Sequence, residues 1–440
     1  MILCCHGMLK SEIRKAPSIE RRPLHNAHDA SALPAHNEQR KPTMTLDWLI
    51  IGGGIHGVHI AARLLDEAGV SREQLRIVDP GPRLLDRWRS CTETTGMTHL
   101  RSPSVHHLGT DHGALRRFAG KRKNRMPRRF VPPFERPSIG LFNEHCDQIE
   151  KKLGLAELHI RDRAVRCSTG CDDVAVELAG GEELRTRHLV LAMGCSDQPY
   201  RPAWASVDAA RIQHVFEPGF NDWPTSPETV MVVGGGISAA HVVLRLLAED
   251  HEVHHVSRHP IRQHQFDSDP GWLGVTYASR FIRTDDLEER RAMITEARHK
   301  GSVPPDLNRA LRRALSRNQL QWHEGEVAEL DTQHDGLRIT LENGTELSVD
   351  RVLLATGFKT DRPGGTMIDE LIESASLPCA QCGYPIVDSA LRWHPQIHVT
   401  GPLAELELGP VSRNIAGARW AGDRIVDAVR CHSSNRTTAG

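Results

Sequence analysis

The sequence predicts an α/β protein with two Rossmann-like domains, the second inserted into the first. Two observations predict this fold: a strand, a glycine-rich turn, a helix and a second strand follow one another after residue 45, and the same unit returns after residue 228. The strands are short apolar runs, which is typical of parallel strands buried on both faces. We expect the elements of the first unit at residues 46–51, 55–68 and 75–78, and those of the second at 229–233, 238–248 and 253–256.

Composition and charge agree with this class. The 440 residues are 39% hydrophobic and 25% charged, with a formal net charge of -1. Near-neutral charge favours no nucleic-acid partner, and no apolar run is long enough to span a membrane, so we expect neither nucleic acid nor stable membrane insertion. Ten scattered cysteines without framework spacing are typical of reduced thiols, which predicts a cytoplasmic protein.

The first glycine turn predicts a dinucleotide site. Gly52, Gly54 and Gly57 fit G-x-G-x-x-G; the first glycine allows the tight turn, the second lets a pyrophosphate approach, and the third lets helix and strand pack closely. The positive end of the following helix then faces the phosphates. Asp79 ends the second strand, where a carboxylate accepts hydrogen bonds from a ribose.

The second glycine turn repeats the pattern with alanine in the third position. Gly234 and Gly236 are followed by Ser238, Ala239 and Ala240 at the start of a predicted helix. The glycines again allow close approach of a pyrophosphate, and alanine is small enough for helix and strand to pack. We expect Gly234, Gly236, Ser238 and Ala239 to contact a second dinucleotide.

The residues after the second unit's last strand indicate which dinucleotide this is. Ser257 and Arg258 stand where an NADH-binding protein carries a carboxylate, and Arg262 follows. A carboxylate there would repel a 2′-phosphate, whereas arginine pairs with it and serine donates a hydrogen bond to it. The sequence therefore predicts NADPH as the second cofactor.

Two further strands end in a small residue and a glycine, His188–Gly194 and Val352–Gly357, where backbone approaches a ligand. With these strands the expected domains are a disordered extension at 1–43, a first part of an FAD domain at 44–225, an NADPH domain at 226–345, and a return to the FAD domain with a C-terminal helix at 346–440. Met44, just before the first strand, is an alternative start.

Two motifs resemble one enzyme family. Val232–Ala240 resembles the NADPH-binding motif of the flavin-dependent N-hydroxylating monooxygenases that act on ornithine and lysine. Asp350–Phe358, followed by Pro363, is similar to the late Ala-Thr-Gly motif of that family, with Phe358 in place of its tyrosine. The resemblance covers about residues 46–425. It implies FAD at the first unit and NADPH at the second.

The resemblance also implies cofactor contacts outside the glycine turns. Ala355, Thr356 and Gly357 form the Ala-Thr-Gly motif itself. Trp88 and the Gly96-Met97 pair are similar, more loosely, to the segment that lines the flavin in the family. We therefore expect Trp88 and Met97 beside the flavin.

The sequence departs from the family at several positions. Ile237 and His241 stand where the family usually has glutamine and glutamate, and the segments that begin at Gly401 and Gly409 do not match the ending of the ornithine and lysine enzymes. Gly401 and Gly409 are still expected at the cofactor. The helix predicted over 412–425 would point its positive N-terminal end at the flavin carbonyl edge.

Candidate catalytic residues lie between the first unit and the middle of the chain. The segment Met97–His107 is rich in hydrogen-bond donors that could hold the flavin or polarise a peroxide, and His99, Arg101 and His107 are our candidates. A loop stabilised by its own side chains is the alternative. Since the resemblance implies no covalent nucleophile, we expect no catalytic triad.

Other motifs carry weaker signals. The single C-x-x-C formed by Cys379 and Cys382 lacks the second pair that a zinc site needs, and the histidines form no H-E-x-x-H or similar helical motif with a carboxylate, so we expect no metal. The basic run Arg116–Arg129 is typical of a solvated loop, with attraction of an acidic partner as the alternative.

Together these observations favour an FAD- and NADPH-dependent oxidoreductase. The resemblance implies a class B type flavin monooxygenase that hydroxylates a lysine- or ornithine-like amine with O2 through a C4a-hydroperoxyflavin. Two alternatives stay open: an NADPH-dependent flavin reductase or oxidase of another substrate class, and a non-catalytic flavin-binding sensor.

Overall fold

A computed structural model describes residues 44–121, 129–206 and 210–437. Residues from Thr43 onward belong to one compact unit. The expectations for residues 1–43, and for residues 122–128 of the basic run, lie outside the described part of the chain.

The strands and helices carry our own labels in chain order. The strands are β1 Thr45–Ile51, β2 Leu75–Val78, β3 Phe130–Val131, β4 Arg136–Pro137, β5 His159–Ile160, β6 Ala164–Thr169, β7 Val174–Leu178, β8 Glu183–Leu191, β9 Ile212–His214, β10 Thr229–Val233, β11 Glu252–Ser257, β12 Arg262–Gln263, β13 Ser302–Val303, β14 Leu320–Glu324, β15 Val327–Thr332, β16 Leu337–Leu341, β17 Glu346–Val349, β18 Arg351–Leu354, β19 Arg392–His394 and β20 Ile397–Val399. The helices are α1 Ile55–Asp66, α2 Asp86–Thr94, α3 Ala114–Phe118, α4 Ile139–Leu153, α5 Ile237–Ala248, α6 Val275–Arg283, α7 Leu287–Ala297, α8 Pro305–Ser316, α9 Gly365–Ala375, α10 Glu405–Leu408 and α11 Ile415–Thr437.

The first sheet has the strand order β19-β20-β8-β1-β2-β5. From β20 to β5 the strands are parallel, and the hairpin β6–β7 joins β8 in antiparallel orientation. Leu49 and Ile50 of the central strand β1 are fully buried because β1 has parallel neighbours on both edges and side-chain packing on both faces. This burial explains why the strand reads as a continuous apolar run.

The second sheet is parallel throughout, with the order β14-β11-β10-β18-β9. Alternate residues of β10 face opposite sides: Val230 and Val232 pack in a core with helices α5 and α8, whereas Met231 packs in a core with strands β15 to β17. The α/β fold with two parallel, Rossmann-like sheets is therefore confirmed.

The connections between the two sheets differ from the expected boundaries. Strand β9, before residue 226, already belongs to the second sheet, and β18, after residue 345, is the neighbour of β10 in the same sheet. The chain thus enters the second sheet before Ile212 and leaves it only after Leu354. The boundaries drawn at residues 226 and 346 were too narrow because β9 and β18 have only three and four residues, and so short a strand does not reveal from its sequence which sheet it joins.

Arginine side chains connect the elements around the first sheet to those around the second. Arg136 is 3% exposed and forms an ion pair with Asp306 of α8 at 2.7 Å. Arg245 of α5 donates to the carbonyl of Thr94 at 2.8 Å, at the end of α2. Polar contacts of this kind fix the relative position of the two nucleotide units.

Among the residues that the structure describes, no helix is both long and apolar enough to cross a membrane.

Candidate functional site

The first glycine turn is shaped by backbone contacts that exclude side chains. Gly52 has φ +110°, and a Cβ atom built on it would lie 2.6 Å from the carbonyl oxygen of Ala192 in the neighbouring strand end. A Cβ on Gly57 would lie 1.8 Å from the carbonyl oxygen of Gly52. Both positions therefore require glycine, as the sequence pattern predicted.

The N-terminus of α1 is open for a phosphate. Gly54 is the N-cap residue, no side chain caps the helix, and the first turn carries no acidic residue. A Cβ on Gly54 would meet no atom within 4 Å. Exposed amides at the positive end of a helix, with free space in front of them, fit a pyrophosphate. The roles predicted for Gly52, Gly54 and Gly57 stay predictions, with geometry that suits them.

Asp79 lies at the end of β2, beside this turn. Its Oδ2 accepts a hydrogen bond from the amide of Gly53 at 2.7 Å, and its Oδ1 accepts one from the amide of Gly81 at 2.8 Å. The carboxylate thus holds the glycine turn against the strand end. Since each oxygen keeps a second lone pair, ribose binding by Asp79 stays a prediction.

The second glycine turn repeats the geometry of the first. Gly234 has φ +145°, and a Cβ on it would lie 2.5 Å from the carbonyl oxygen of Ala355. Gly236 is the uncapped N-cap residue of α5, and Ala239 is fully buried where the helix meets the strand. Ala239 therefore acts through packing, because its side chain is not accessible to a ligand.

The Ala-Thr-Gly motif belongs to the second unit. Ala355, Thr356 and Gly357 follow β18, and Ala355 stands against Gly234 as Ala192 stands against Gly52. The sequence assigned this motif to the return of the FAD domain, and that assignment was wrong. The reason is that β18 pairs with β10 and so brings the motif to the second glycine turn.

A cavity of about 900 Å³ opens at the second turn. It is lined by Gly234, Gly236 and Ser238 of the turn and by Ala355, Thr356 and Gly357. Seven basic side chains line it against two acidic ones: Arg101, Arg258, Arg262, Arg298, Lys300, Lys359 and Arg413, and Asp267 and Glu326. Because the whole chain has a net charge of -1, this excess of positive charge is local and suits an anionic ligand.

Ser257 lines the cavity, but its side chain already has protein partners, and its phosphate contact stays a prediction. The side chain of Ser257 is 2% exposed, its hydroxyl donates to the carbonyl of His259 at 2.9 Å, and it accepts from the indole of Trp322 at 3.0 Å. The hydroxyl proton is therefore donated within the protein in this structure. Arg258 and Arg262 are exposed at the cavity, and Arg258 lies 3.7 Å from Glu326.

Replacing Arg258 with glutamine is expected to weaken NADPH binding selectively. Loss of a charge-assisted contact to the 2′-phosphate should raise the KM for NADPH about 10- to 100-fold and leave that for NADH within about 3-fold. Initial rates with the two coenzymes measure this difference. Arg317→Gln, an exposed arginine outside the cavity, is the matched control. Equal losses for both coenzymes would contradict a phosphate role.

Two helix N-termini meet next to the first turn. The His56 ring lies in the first turn of α1, and its Nδ1 shares a hydrogen bond with the Thr400 hydroxyl at 2.8 Å. The same ring faces the backbone of Arg413 and Asn414, just before α11. Burial lowers the pKa of His56 to about 4, so the ring is neutral at pH 7. A Cβ on Gly401 would lie 3.7 Å from this ring.

This junction fits a flavin. Asn414 lines the cavity, and its buried Oδ1 has no hydrogen-bond partner among the described residues. A buried amide oxygen without a partner can accept a hydrogen bond from a bound ligand. The uncapped helix α1, the N-terminus of α11 and Asn414 would hold the pyrophosphate and the ring edge of FAD.

Three other predicted flavin contacts, Trp88, Met97 and Gly409, are not among the residues that line the cavity. Trp88 donates to Asn143 Oδ1 at 3.2 Å and packs on the ring of Phe142. Met97 is half-buried, with its amide bonded to the carbonyl of Thr92. Gly409 has φ +75° and ends the short helix α10. The cofactor roles of Trp88, Met97 and Gly409 stay predictions.

Arg101 is a structural residue, which overturns its prediction as a catalytic group. Its guanidinium pairs with Asp267 at 2.7 Å and donates to the carbonyls of His264, Gln265 and Phe266 at 2.7 to 3.1 Å. It also donates to the Ser302 hydroxyl. With its donors already used, Arg101 holds the first unit against the second and cannot polarise a peroxide.

His107 is also structural. It is fully buried, Nε2 meets the carbonyl of His112 at 3.1 Å, and Nδ1 accepts from the amide of Gly109 at 3.1 Å. Burial lowers its pKa to about 3. His99 forms a β-bridge with Ser138 and is not among the residues that line the cavity. The catalytic prediction for His107 was wrong, and that for His99 stays untested.

The sequence analysis missed a buried ion cluster at the cavity wall, which we call the Glu405 cluster: Glu405, Arg291, Arg298 and Arg413. Glu405 is fully buried; Arg413 Nε lies 2.7 Å from its Oε2, Arg298 Nη2 lies 2.8 Å from the same oxygen, and Arg291 contacts Oε1. Burial alone would raise the pKa of Glu405, but the arginines lower it to about 2. A glutamate inside the apolar run 403–408 was the available signal, since a buried acid needs partners.

Replacing Glu405 with glutamine is expected to lower the free energy of unfolding by about 3 to 5 kcal/mol. The substitution leaves three mostly buried guanidinium groups without a countercharge. Chemical denaturation followed by tryptophan fluorescence measures the change. Glu407→Gln, which removes a less buried acid from the same short helix, is the control and should cost less. A loss below about 1 kcal/mol at Glu405 would show that the cluster is solvated.

Comparison with known proteins agrees with this geometry. The profile of a family described as FAD-NAD(P)-binding matches residues 49–196 and 306–359. Similar solved structures include the ornithine hydroxylase PvdA from Pseudomonas aeruginosa, with 16% identity, 88% of this chain and 100% of that chain covered and a TM-score of 0.70. The ornithine N-hydroxylase KtzI from Kutzneria sp. 744 has 19% identity, 89% and 100% coverage and a TM-score of 0.70.

The chain has the FAD/NAD(P)-binding flavoprotein fold. The lysine monooxygenase NbtG from Nocardia farcinica is also similar, with 18% identity, 87% and 100% coverage and a TM-score of 0.57. No curated protein matches the chain closely in sequence. The resemblance to N-hydroxylating flavin monooxygenases is confirmed at the level of the fold, and the prediction of FAD and NAD(P) units agrees with the matched family.

Proposed function

We propose that this chain is an FAD- and NADPH-dependent monooxygenase that hydroxylates the nitrogen of a small amine with O2. The observation that carries the proposal is the junction at Arg413 and Asn414. These residues line the cavity of the second glycine turn, and their backbone faces His56 of the first. Two dinucleotides bound at the two turns would therefore meet there.

The charges and shapes of the site support this assignment. NADPH brings about two negative charges from its pyrophosphate and nearly two from its 2′-phosphate. The uncapped helix α5, Lys300, Arg258 and Arg262 would neutralise them. The positions of Arg258 and Arg262 favour NADPH over NADH, because their guanidinium groups flank the end of β11.

The protein residues would position the reactants and exclude water. When bound, FAD supplies the redox chemistry that takes a hydride from NADPH and passes electrons to O2. The N-terminus of α11 would stabilise negative charge at the edge of the flavin ring, and Asn414 would accept a hydrogen bond from an N–H group of that ring. His56, neutral at pH 7, would leave that positive end of the helix unopposed.

The similar enzymes support amine hydroxylation. PvdA and KtzI are ornithine hydroxylases, NbtG is a lysine monooxygenase, and the KtzI structure contains reduced FAD, NADP+ and L-ornithine. We further propose that the chain acts in the cytoplasm, where NADPH is available and the eight free cysteines of its described part would stay reduced.

Substrate-stimulated NADPH oxidation tests the proposal. The yellow holoenzyme is mixed with NADPH, O2 and a panel of amines and sulfides, and NADPH loss and peroxide release are followed together. The proposal expects one class of amine to speed NADPH loss while the peroxide yield falls and a hydroxylated product appears. Steady conversion of every NADPH equivalent to peroxide with every compound would instead support a reductase or oxidase.

A further inference from the structure

The Glu405 cluster contains more positive than negative charges. Three arginines surround one glutamate, so the cluster has two positive charges in excess at pH 7. The four side chains are 0% to 21% exposed, which places the excess charge largely out of water. Partly buried charge without a counterion is unfavourable, and proteins normally pair it.

The groups beside Arg413 and Arg298 do not supply the missing negative charge. The neutral hydroxyl of Tyr384 lies 2.8 Å from Arg413, and Cys195 Sγ lies 3.3 Å from the same guanidinium. Burial raises the pKa of Tyr384, to about 12, and also that of Cys195, so neither is an anion at pH 7. Burial and the positive charge of Arg413 both lower the pKa of Arg298. Asp267 already pairs with Arg101.

The cluster faces the reaction cavity on one side only. Arg298 and Arg413 line the cavity, whereas Arg291 contacts Glu405 from behind and stacks on the ring of Tyr384 at 4.1 Å. Asn414, next to Arg413, lies on the side of the cavity where we propose that the flavin binds. In the proposed function, the phosphates of NADPH would bind at the N-terminus of α5 and at Arg258 and Arg262. The Glu405 cluster would then be free to bind another anion.

We propose that Arg298 and Arg413 form an anion subsite that selects an amine with a carboxylated side chain over a diamine. This inference rests on the proposed function of the same cavity. Two excess positive charges match an amino dicarboxylic acid, which carries two carboxylates and one amine. The same charges repel a second ammonium, as in ornithine or lysine, and they favour the uncharged form of the reacting amine.

Binding to the holoenzyme tests the subsite without requiring turnover. The absorption spectrum of bound FAD, with NADP+ present, is titrated with L-aspartate and L-glutamate and separately with L-ornithine and L-lysine. These amino acids share the same backbone groups and differ in side-chain charge. The proposal expects the two acidic amino acids to bind at least 10-fold more tightly than the two basic ones. Tighter binding of ornithine or lysine would overturn it.

Two arginine variants separate recognition from stability. Arg298→Gln should weaken binding of the acidic amino acids about 10- to 100-fold, because it removes a charge-assisted contact. Arg291→Gln removes a charge from the same cluster but no group that lines the cavity, so it should weaken binding clearly less than Arg298→Gln does, even if it unfolds more readily. Equal weakening by both variants would show that the cluster is only structural and would overturn the subsite.

Turnover then separates the two proposals. If the acidic amino acids bind as expected but every NADPH equivalent still emerges as peroxide, the subsite stands and the amine hydroxylation fails. If ornithine or lysine is hydroxylated and the acidic amino acids neither bind nor react, the hydroxylation stands and the subsite fails.

Discussion

The variant Gly57→Ala is expected to purify without FAD. A Cβ at this position would lie 1.8 Å from the backbone carbonyl of Gly52, which cannot move without opening the turn. Such a clash costs about 3 kcal/mol or more and displaces the helix N-terminus from the pyrophosphate. The ratio of flavin absorption to protein absorption in the purified variant measures the effect.

Two other glycines separate loss of binding from loss of folding. Gly54→Ala meets no protein atom within 4 Å and should fold with an unchanged melting temperature of the apoprotein, yet bind FAD at least about 10-fold more weakly, because its methyl group fills the phosphate space. Gly140→Ala, on the exposed face of α4 and also without a neighbour within 4 Å, should keep full flavin content. Full flavin content in Gly57→Ala would contradict the assignment of FAD to this turn.

Acid is expected to unfold the protein between about pH 6 and pH 5. Five buried histidines have pKa values lowered by burial from 6.5 to about 3 or 4: His107, His145, His214, His241 and His398. Since the folded pKa lies below the unfolded one, the unfolded chain binds more protons as the pH falls below 6.5. For each pH unit below 6.5, each histidine then lowers the free energy of unfolding by up to about 1.4 kcal/mol. The five together lower it by up to about 7 kcal/mol per pH unit. A loss of that size approaches the whole stability of a typical domain, about 5 to 15 kcal/mol.

Denaturant titrations at several pH values measure this dependence. The free energy of unfolding should be nearly constant above pH 7 and should fall steeply below 6.5, with several protons taken up on unfolding. His107→Gln should reduce the slope by about one proton, whereas substitution of the exposed His334 should leave it unchanged. A free energy of unfolding that stays level down to pH 4.5 would contradict neutral burial of these rings.

The elements of the two nucleotide units could be predicted from the sequence because local pattern and fold agree there. Strand β10 has the bounds that its apolar run predicted. Gly52 and Gly234 lie where their turns pack against the backbone at the end of a neighbouring strand. The assignment of β18 failed for a different reason. A four-residue apolar strand fits either sheet, and only the pairing with β10 decides between them.

The candidate catalytic residues could not be predicted in the same way. Arg101 and His107 have the side chains of an active site, but Arg101 donates to the distant carbonyl of His264 and the His107 ring contacts the nearby carbonyl of His112, so both stabilise the backbone instead. Glu405 and Arg298 are far apart in the sequence, and only the packing of α7 and the segment after it against α10 brings them together. Long-range ion clusters of this kind leave little trace in a single sequence beyond acidic residues placed between apolar ones, such as Glu405 and Glu407.

Anaerobic mixing of the holoenzyme with NADPH tests the central claim most directly. If FAD and NADPH bind at the two turns and meet at the junction of Arg413 and Asn414, the visible absorption of oxidised FAD should bleach within about seconds, and NADH should act far more slowly. Flavin absorption that persists with saturating NADPH would contradict hydride transfer between the two units, and with it the proposed enzyme.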